Sequence, residues 1–158
     1  MTTIDTRLLI VGSGAAALVA AKIVAGRGLP CLVAGHEPID DTVPTVLSDE
    51  ATAALRPHGV LDVLRPYAAA QEPFTISPLE FEQGLKHHCV ADMLITVYDQ
   101  MWFERTGTSV GKAAVGTLTD GRSSWDVRAD ELFEAEAADL DSAIRCGATF
   151  ANAMRNSP

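Results

Sequence analysis

The sequence predicts an α/β fold that begins with a β-α-β unit, continues through a small antiparallel β-meander crossover and ends in a C-terminal helix. Residues 8–11 form a continuous apolar run that ends in glycine, and residues 15–25 are good helix formers without proline or glycine. A second short apolar run covers residues 31–33. Strands buried on both faces contain such runs, and two strands joined by one helix are parallel.

Length and composition indicate one domain over residues 1–158. Apolar residues make up 47% of the chain and charged residues 21%, the mix of a globular protein that buries a core. The net charge of −9 argues against nucleic acid and anionic membranes as partners, because both attract clustered lysine and arginine. The first apolar run is too short to span a bilayer and no basic leader precedes it, so a cytoplasmic protein is expected.

A glycine-rich turn joins the first predicted strand to the first predicted helix. It matches the dinucleotide fingerprint G-x-G-x-x-G/A in the strand–turn–helix context that the motif requires, so the sheet is predicted to be Rossmann-like. The predicted cofactor-binding residues are Gly12, Ser13, Gly14, Ala15, Ala16 and Ala17. Gly12 permits the tight turn, Gly14 lets the backbone approach a pyrophosphate, and Ala17 lets the helix pack on the strand. The alternative is a βα turn that binds no ligand.

The position that usually binds the ribose departs from this fingerprint. The acidic residue expected at the end of the second strand is replaced by Gly35, and Glu37 lies two residues later. Glu37 is a candidate ribose ligand if the strand end bulges, and it is otherwise a solvated loop residue. No arginine immediately replaces the acid, so NADP is not favoured.

The middle of the chain is predicted to hold a loop and several helical segments. Residues 35–46 contain glycine, prolines and aspartates, which are typical of a loop. Short helical pieces follow over residues 48–64 and are broken near Pro57. Ser77 is a helix cap followed by proline and, three residues on, by glutamate, which predicts a helix that runs to about His88.

From residue 93 the apolar pattern changes to the period of short strands. The Asp120-Gly121 turn and other glycines separate these predicted strands, as in an antiparallel meander. The predicted strands cover residues 93–98, 101–104, 113–118 and 124–128. Apolar residues at helical spacing between Leu140 and Met154 predict the terminal helix.

The cysteines and histidines are not predicted to form a metal site or a redox site. Cys31, Cys89 and Cys146 are odd in number and widely spaced, so each is interpreted as a small buried hydrophobic residue. His87 and His88 are adjacent on a predicted helix and point about 100° apart, which is unsuited to shared chelation. They are interpreted as a solvated helix end, where cationic histidine also suits the helix dipole.

Three aromatic residues in the predicted meander have two interpretations. Tyr98, Trp102 and Phe103 can stack on a flavin or adenine ring, or they can belong to a core or a subunit interface, which is the favoured interpretation. The sequence contains no G-x-S-x-G elbow, P-loop or H-E-x-x-H motif, and it assigns no catalytic residue.

With these motifs the chain resembles FAD-dependent monooxygenases of the aromatic-hydroxylase type. The stretch from Leu8 to Glu37 resembles their N-terminal FAD unit, and it carries the specific motif. Weaker likenesses cover residues 46–66, 79–89, 115–135 and 139–154. The resemblance implies FAD as the cofactor, with NAD less favoured, and an oxidoreductase reaction of the monooxygenase type.

The chain departs from that family in two ways. Full members are more than twice as long, and their second FAD motif, a Gly-Asp pair, is absent from residues 134–138. The resemblance therefore implies an FAD-binding domain without its substrate domain. It is expected to act as a homo-oligomer or with a partner subunit, through a surface at Met101, Trp102 and Phe103. The alternative is a degenerate relative without redox activity that serves as a binding module or a non-redox enzyme.

Overall fold

The computed structural model describes residues 3–12, 14–35, 41–106, 113–135 and 139–154. The strands are β1 (Thr3–Val11), β2 (Cys31–Gly35), β3 (Thr45–Val46), β4 (Ala70–Gln71), β5 (Phe74–Ile76), β6 (Ile95–Asp99), β7 (Trp102–Arg105), β8 (Ala114–Thr119) and β9 (Ser124–Glu134). The α-helices are α1 (Ala15–Gly26), α2 (Asp49–Leu55), α3 (Val60–Leu64), α4 (Pro78–Val90) and α5 (Leu140–Ala153). Short 3-10 turns cover Arg56–His58 and Arg65–Tyr67.

The main sheet has six strands in the order β6-β2-β1-β9-β8-β7. The first four strands in this order are parallel to one another, and the last two pair antiparallel. Strand β1 lies at the centre of the parallel part, and its apolar residues Leu8, Leu9 and Ile10 are fully buried. The predicted α/β class, with a parallel sheet, a meander and a terminal helix, is confirmed.

Strand β9 joins the meander to the parallel sheet. It pairs in parallel with β1 from Thr3↔Asp126 to Val11↔Glu134, and it pairs antiparallel with β8. The predicted turn before it is present, because the Asp120 carboxylate accepts hydrogen bonds from the backbone N–H groups of Arg122 and Ser123, each at 2.8 Å. The meander therefore returns the chain to the edge of β1.

The strand predicted over residues 93–98 is not part of the meander. It is β6, which pairs in parallel with β2 from Cys31↔Ile95 to Gly35↔Asp99. Helix α4 precedes it and supplies the crossover that a parallel pair requires. Because β6 is an edge strand, several of its residues are exposed, and its pattern resembles that of a half-exposed antiparallel strand.

The segment predicted as a loop over residues 35–46 is only partly irregular. Gly35 ends β2, and Thr45 and Val46 form β3, which pairs with β5 in a three-stranded antiparallel sheet of order β3-β5-β4. These strands have two or three residues each, too few to produce an alternating pattern. Residues 36–40 lie outside the described part of the chain.

Each face of the parallel sheet has its own core. Leu8 and Ile10 on β1 pack with helices α1, α4 and α5, and the intervening Leu9 packs with the meander residues Leu118 and Val127. Successive side chains of a strand point to opposite faces, so one apolar run supplies both cores. This double burial is why the run is continuous rather than alternating.

Side-chain caps begin three of the helices. Ser48 Oγ accepts the N–H of Ala51 at 3.1 Å, and Ser77 Oγ accepts the N–H of Glu80 at 3.1 Å, so both predicted helix starts are confirmed. Asp139 Oδ1 accepts the N–H of Ser142 at 2.9 Å at the start of α5. Each cap satisfies one backbone donor that the helix leaves unpaired.

Helix α5 lies directly on the first turns of α1. A Cβ atom placed on Gly147 would overlap the carbonyl oxygen of Ala16 and stand 3.1 Å from its Cα. At the other end of the same contact, Arg27 Nη1 donates to the carbonyl oxygens of Ala151 at 2.8 Å and Met154 at 3.0 Å. Glycine at position 147 thus permits the close approach of the two helices, and Arg27 satisfies the C-terminal carbonyls of α5.

We predict that Gly147→Ala lowers the free energy of unfolding by about 1–3 kcal/mol, the usual cost of overpacking a core. The added methyl group forces α5 away from the Ala16 backbone. Gly26→Ala is the matched control, because a Cβ at exposed Gly26 has no atom within 4 Å in the described chain. Urea denaturation of both variants makes the comparison, and equal stability of Gly147→Ala and wild type would contradict the packing described here.

Candidate functional site

The turn after β1 is tight and leaves no room for a side chain at its first residue. Gly12 donates its N–H to the carbonyl oxygen of Ala34 at 2.8 Å and has a φ of +135°, which L side chains rarely adopt. A Cβ on Gly12 would lie 3.0 Å from the Cβ of Ala135. The backbone conformation therefore favours glycine, and Ala135 leaves little space for a Cβ there.

Among the described residues, no side chain caps the backbone N–H groups at the start of α1. Gly14 is the N-cap in an extended conformation, and its carbonyl oxygen accepts the N–H of Leu18 at 3.2 Å. None of the residues of the first turn, all of which are described, is acidic. The N–H groups of Ala15, Ala16 and Ala17 thus begin a helix whose positive dipole end is suited to an anion.

Three strand ends meet at this turn. Val11, the last residue of β1, lies opposite Ala34 on β2 and Glu134 on β9, and its carbonyl oxygen accepts the N–H of Ala135 at 2.8 Å. From β1 the chain continues to β2 on one side of it and returns as β9 on the other. The glycine turn therefore lies at the switch point of the sheet, where open α/β sheets bind ligands at the carboxyl ends of their strands.

The described part of the turn comprises Gly12 and Gly14 to Ala17, whereas Ser13 and Glu37 lie outside the described residues. Their part in binding stays a prediction. The end of β2 is buried at Gly35, whose carbonyl oxygen accepts the N–H of Met101 at 3.2 Å. Asp99 on β6 lies opposite Gly35, and its carboxylate pairs with Lys86.

An ion pair that the sequence did not indicate lies at the same sheet edge. Arg105, the last residue of β7, places Nη2 3.7 Å from Oε1 of Glu134, the last residue of β9. Both side chains are about half exposed. The two residues lie on different strands of the meander sheet, and only the fold of the meander brings them together.

The predicted interaction surface on the meander is partly wrong. Met101 is buried between the sheet and the meander, because it enters β7 beside the end of β2 and packs against the core that holds Leu32 and Ala34. Phe103 is half-buried against the same core. Trp102 is 42% exposed, so it is the most exposed of the three.

Two of the three cysteines are buried as predicted, and one is not. Burial raises the pKa of the Cys31 and Cys89 thiols to about 12 each. Cys146 is exposed, because α5 packs on α1 through Gly147 and turns the preceding residue outward. His87 is exposed near the end of α4, and no cluster of metal-ligating side chains is found among the described residues.

A concavity lies between helices α2 and α3 and the small sheet. Its volume is about 660 Å³, and its lining mixes apolar and charged side chains. Arg56 and Arg65 contribute guanidinium groups, Asp49 and Glu72 contribute carboxylates, and Phe74 contributes an aromatic ring. Its residues belong to none of the predicted cofactor-binding positions.

No family model matches the sequence, and no curated protein matches it. Solved structures do share its fold. The p-nitrophenol 4-monooxygenase PnpA from Pseudomonas putida DLL-E4 is 16% identical with a TM-score of 0.69, over 91% of this chain and 43% of that one. The flavin-dependent monooxygenase PieE, solved in complex with FAD and substrate, is 17% identical with a TM-score of 0.73, over 93% and 33%. The anhydrotetracycline hydroxylase OxyS from Streptomyces rimosus is 12% identical with a TM-score of 0.69, over 85% and 32%.

These structures confirm the resemblance to flavin-dependent monooxygenases at the level of the fold. This chain spans 32–43% of the length of the three structures. One of these structures, PieE, was solved in complex with FAD. Separately, no helix among the described residues is long and apolar enough to cross a membrane.

We predict that one thiol per native chain reacts with a disulfide reagent at pH 8. The pKa of about 12 at Cys31 and at Cys89 leaves about one part in ten thousand of each thiol ionised at that pH. Cys146 is exposed and should react, and all three thiols should react in denaturant. Cys146→Ser should abolish the native-state reaction, and rapid reaction of two or more thiols in the native protein would contradict the burial described.

Proposed function

We propose that this chain, which shares its fold with flavin-dependent monooxygenases, binds FAD across the start of α1 and contributes it to an oxidoreductase reaction. The observation that carries the proposal is the glycine turn at the switch point of the sheet. There a glycine with positive φ, a helix start that no described side chain caps and three strand ends converge.

The residues present fit a dinucleotide pyrophosphate. Gly12 has no side chain, and those of Ala34 and Ala135 are small, so none of these three residues places a large side chain at the strand ends. The first turn of α1 offers backbone donors and carries no acidic residue of its own. The residues proposed to hold the pyrophosphate are Gly12, Ser13, Gly14, Ala15, Ala16 and Ala17.

The ribose contact is proposed to come from Glu37, because Gly35 has no side chain to offer at the usual position. A bound flavin would supply the redox chemistry. The chain itself would bind and orient the dinucleotide and set the electrostatic field around it. FAD is favoured over NAD because the similar structures are flavin-dependent enzymes.

Gly14→Val tests the site. The branched side chain would stand where the pyrophosphate approaches the backbone, so the affinity for FAD should fall at least tenfold, or by about 1.4 kcal/mol. Fluorescence titration with FAD measures it, and Gly26→Ala at the other end of α1 is the control. Undiminished FAD affinity in a folded Gly14→Val protein would overturn the assignment.

We further propose that the working unit is a homo-oligomer or a complex with a partner subunit. The chain spans less than half of the similar monooxygenases, and Trp102 exposes an aromatic ring on the outer side of the meander. Light scattering should therefore give a mass above 16.7 kDa at tens of micromolar, and Trp102→Ser should reduce it. A monodisperse monomer would favour the complex with a partner subunit over the homo-oligomer. A monomer with full oxidoreductase activity on its own would contradict both the homo-oligomer and the complex.

A second candidate function is that of a binding module or enzyme without redox activity. The concavity of about 660 Å³ beside α2 and α3 favours it, because its mixed lining suits a small polar ligand. So does the lack of a carboxylate at Gly35. A purified protein that carries no flavin and shows no FAD binding would support this candidate.

A further inference from the structure

The dinucleotide fingerprint places an acidic side chain at the end of β2, where this chain has Gly35. Cys31 and Val33 on β2 pack in the core on the helix face of the sheet, and the intervening Leu32 and Ala34 pack in the core on the meander face. Because side chains alternate along a strand, position 35 faces the helices. An acidic side chain there would therefore stand on the face of the sheet that carries α1.

The neighbouring strand β6 ends in a carboxylate on the same face. It pairs in parallel with β2, and Asp99 is the partner of Gly35, so the two Cα atoms lie about 4.8 Å apart. Ile95 and Val97 pack in the core on the helix face, and Asp99 follows them in the alternation. Lys86 on α4 agrees with this direction, because its ammonium group pairs with Oδ1 of Asp99. Asp99 thus brings a carboxylate to within one strand spacing of the position that lacks its acid.

The four parallel strands of the described sheet end in two carboxylates, and they lie on opposite faces. Phe133 packs in the core on the helix face, so the next residue, Glu134 at the end of β9, faces the meander. Gly35 is buried, whereas the side chain of Asp99 is 57% exposed. Of these two carboxylates, that of Asp99 therefore lies on the face of α1, and it is accessible to a ligand.

We propose that Asp99 is a ribose-binding residue of the dinucleotide site and accepts a hydrogen bond from a hydroxyl group of the adenosine ribose. A carboxylate has two oxygens that accept hydrogen bonds, and the ion pair with Lys86 involves Oδ1. The ribose lies at the end of the second strand when the pyrophosphate lies at the start of the first helix. This inference rests on the proposed function, and it adds a second acceptor to the one proposed at Glu37.

Replacing Asp99 should weaken the binding of those nucleotides that carry ribose hydroxyl groups. Asp99→Asn keeps the size of the side chain but replaces the charged acceptor with a neutral one, and hydrogen bonds to charged acceptors are the stronger ones. Since the side chain is more than half exposed, we expect the affinity for ADP to fall about three- to tenfold. The affinity for 2′,3′-dideoxy-ADP should stay the same, because that nucleotide has no ribose hydroxyl group to donate.

A second strand carboxylate in an ion pair provides the matched control. Asp130 on β9 pairs with Arg7 at 3.5 Å, and its side chain is 66% exposed, similar to that of Asp99. It lies four residues before Glu134, about 13 Å along the strand from the end of β9. Asp130→Asn removes the same charge from the protein at a distance from the strand ends, so it should bind ADP as wild type does.

The experiment is isothermal titration calorimetry of wild type, Asp99→Asn, Asp130→Asn and Glu37→Gln with FAD, ADP and 2′,3′-dideoxy-ADP. Wild type should prefer ADP to the dideoxy nucleotide, and Asp99→Asn should lower that preference by about threefold or more. FAD and ADP carry the same ribose, so Asp99→Asn should weaken both by the same factor. Thermal unfolding of each variant checks that it is folded, and the preference of wild type tests the inference without any variant.

The outcomes separate the two proposals. Wild type that binds none of the three ligands overturns the proposed function and this inference together. Wild type that binds FAD and ADP but does not distinguish ADP from the dideoxy nucleotide overturns the inference alone. An unchanged preference in Asp99→Asn also overturns it, as does an equal loss of affinity for both nucleotides in that variant. A preference lost in Glu37→Gln but kept in Asp99→Asn assigns the ribose to Glu37 and overturns it as well.

Discussion

The parallel pairing of β9 with β1 is the contact on which the rest of the structure depends. It runs from Thr3↔Asp126 to Val11↔Glu134 and continues into the hydrogen bond from Ala135 to Val11. This pairing places the meander over one face of the sheet and directs α5 onto the other. It also brings the last strand end to the glycine turn, so the site exists only once residues more than a hundred positions apart have paired.

The parts of the fold that the sequence predicted correctly have local causes. A continuous apolar run, a helix cap at Ser77 and a turn at Asp120 each leave a pattern within a few residues. The errors lie where the cause is tertiary. The sequence pattern of β6 resembles that of a meander strand because an edge strand of a parallel sheet exposes some of its residues, and β3 to β5 are too short to show any period.

The same distinction applies to the candidate site. The fingerprint at Gly12 follows from local sequence, because the positive φ of the turn favours glycine there, whereas the close neighbour Ala135 is brought to it by the pairing of β9 with β1. The burial of Met101, the exposure of Cys146 and the position of Arg105 depend on which elements pack together. Identities of 12–17% with monooxygenases of the same fold agree with this, because they show that largely different sequences reach one fold.

Backbone amide NMR of the labelled protein during titration with FAD tests the central claim most directly, since it reports where a ligand binds without assuming any reaction. We expect the largest shift changes on the amides from Gly12 to Ala17 and on those of Ala34 and Ala135 beside them. Changes confined to the concavity lined by Leu47, Arg56 and Phe74 would contradict it, as would a spectrum that FAD leaves unchanged.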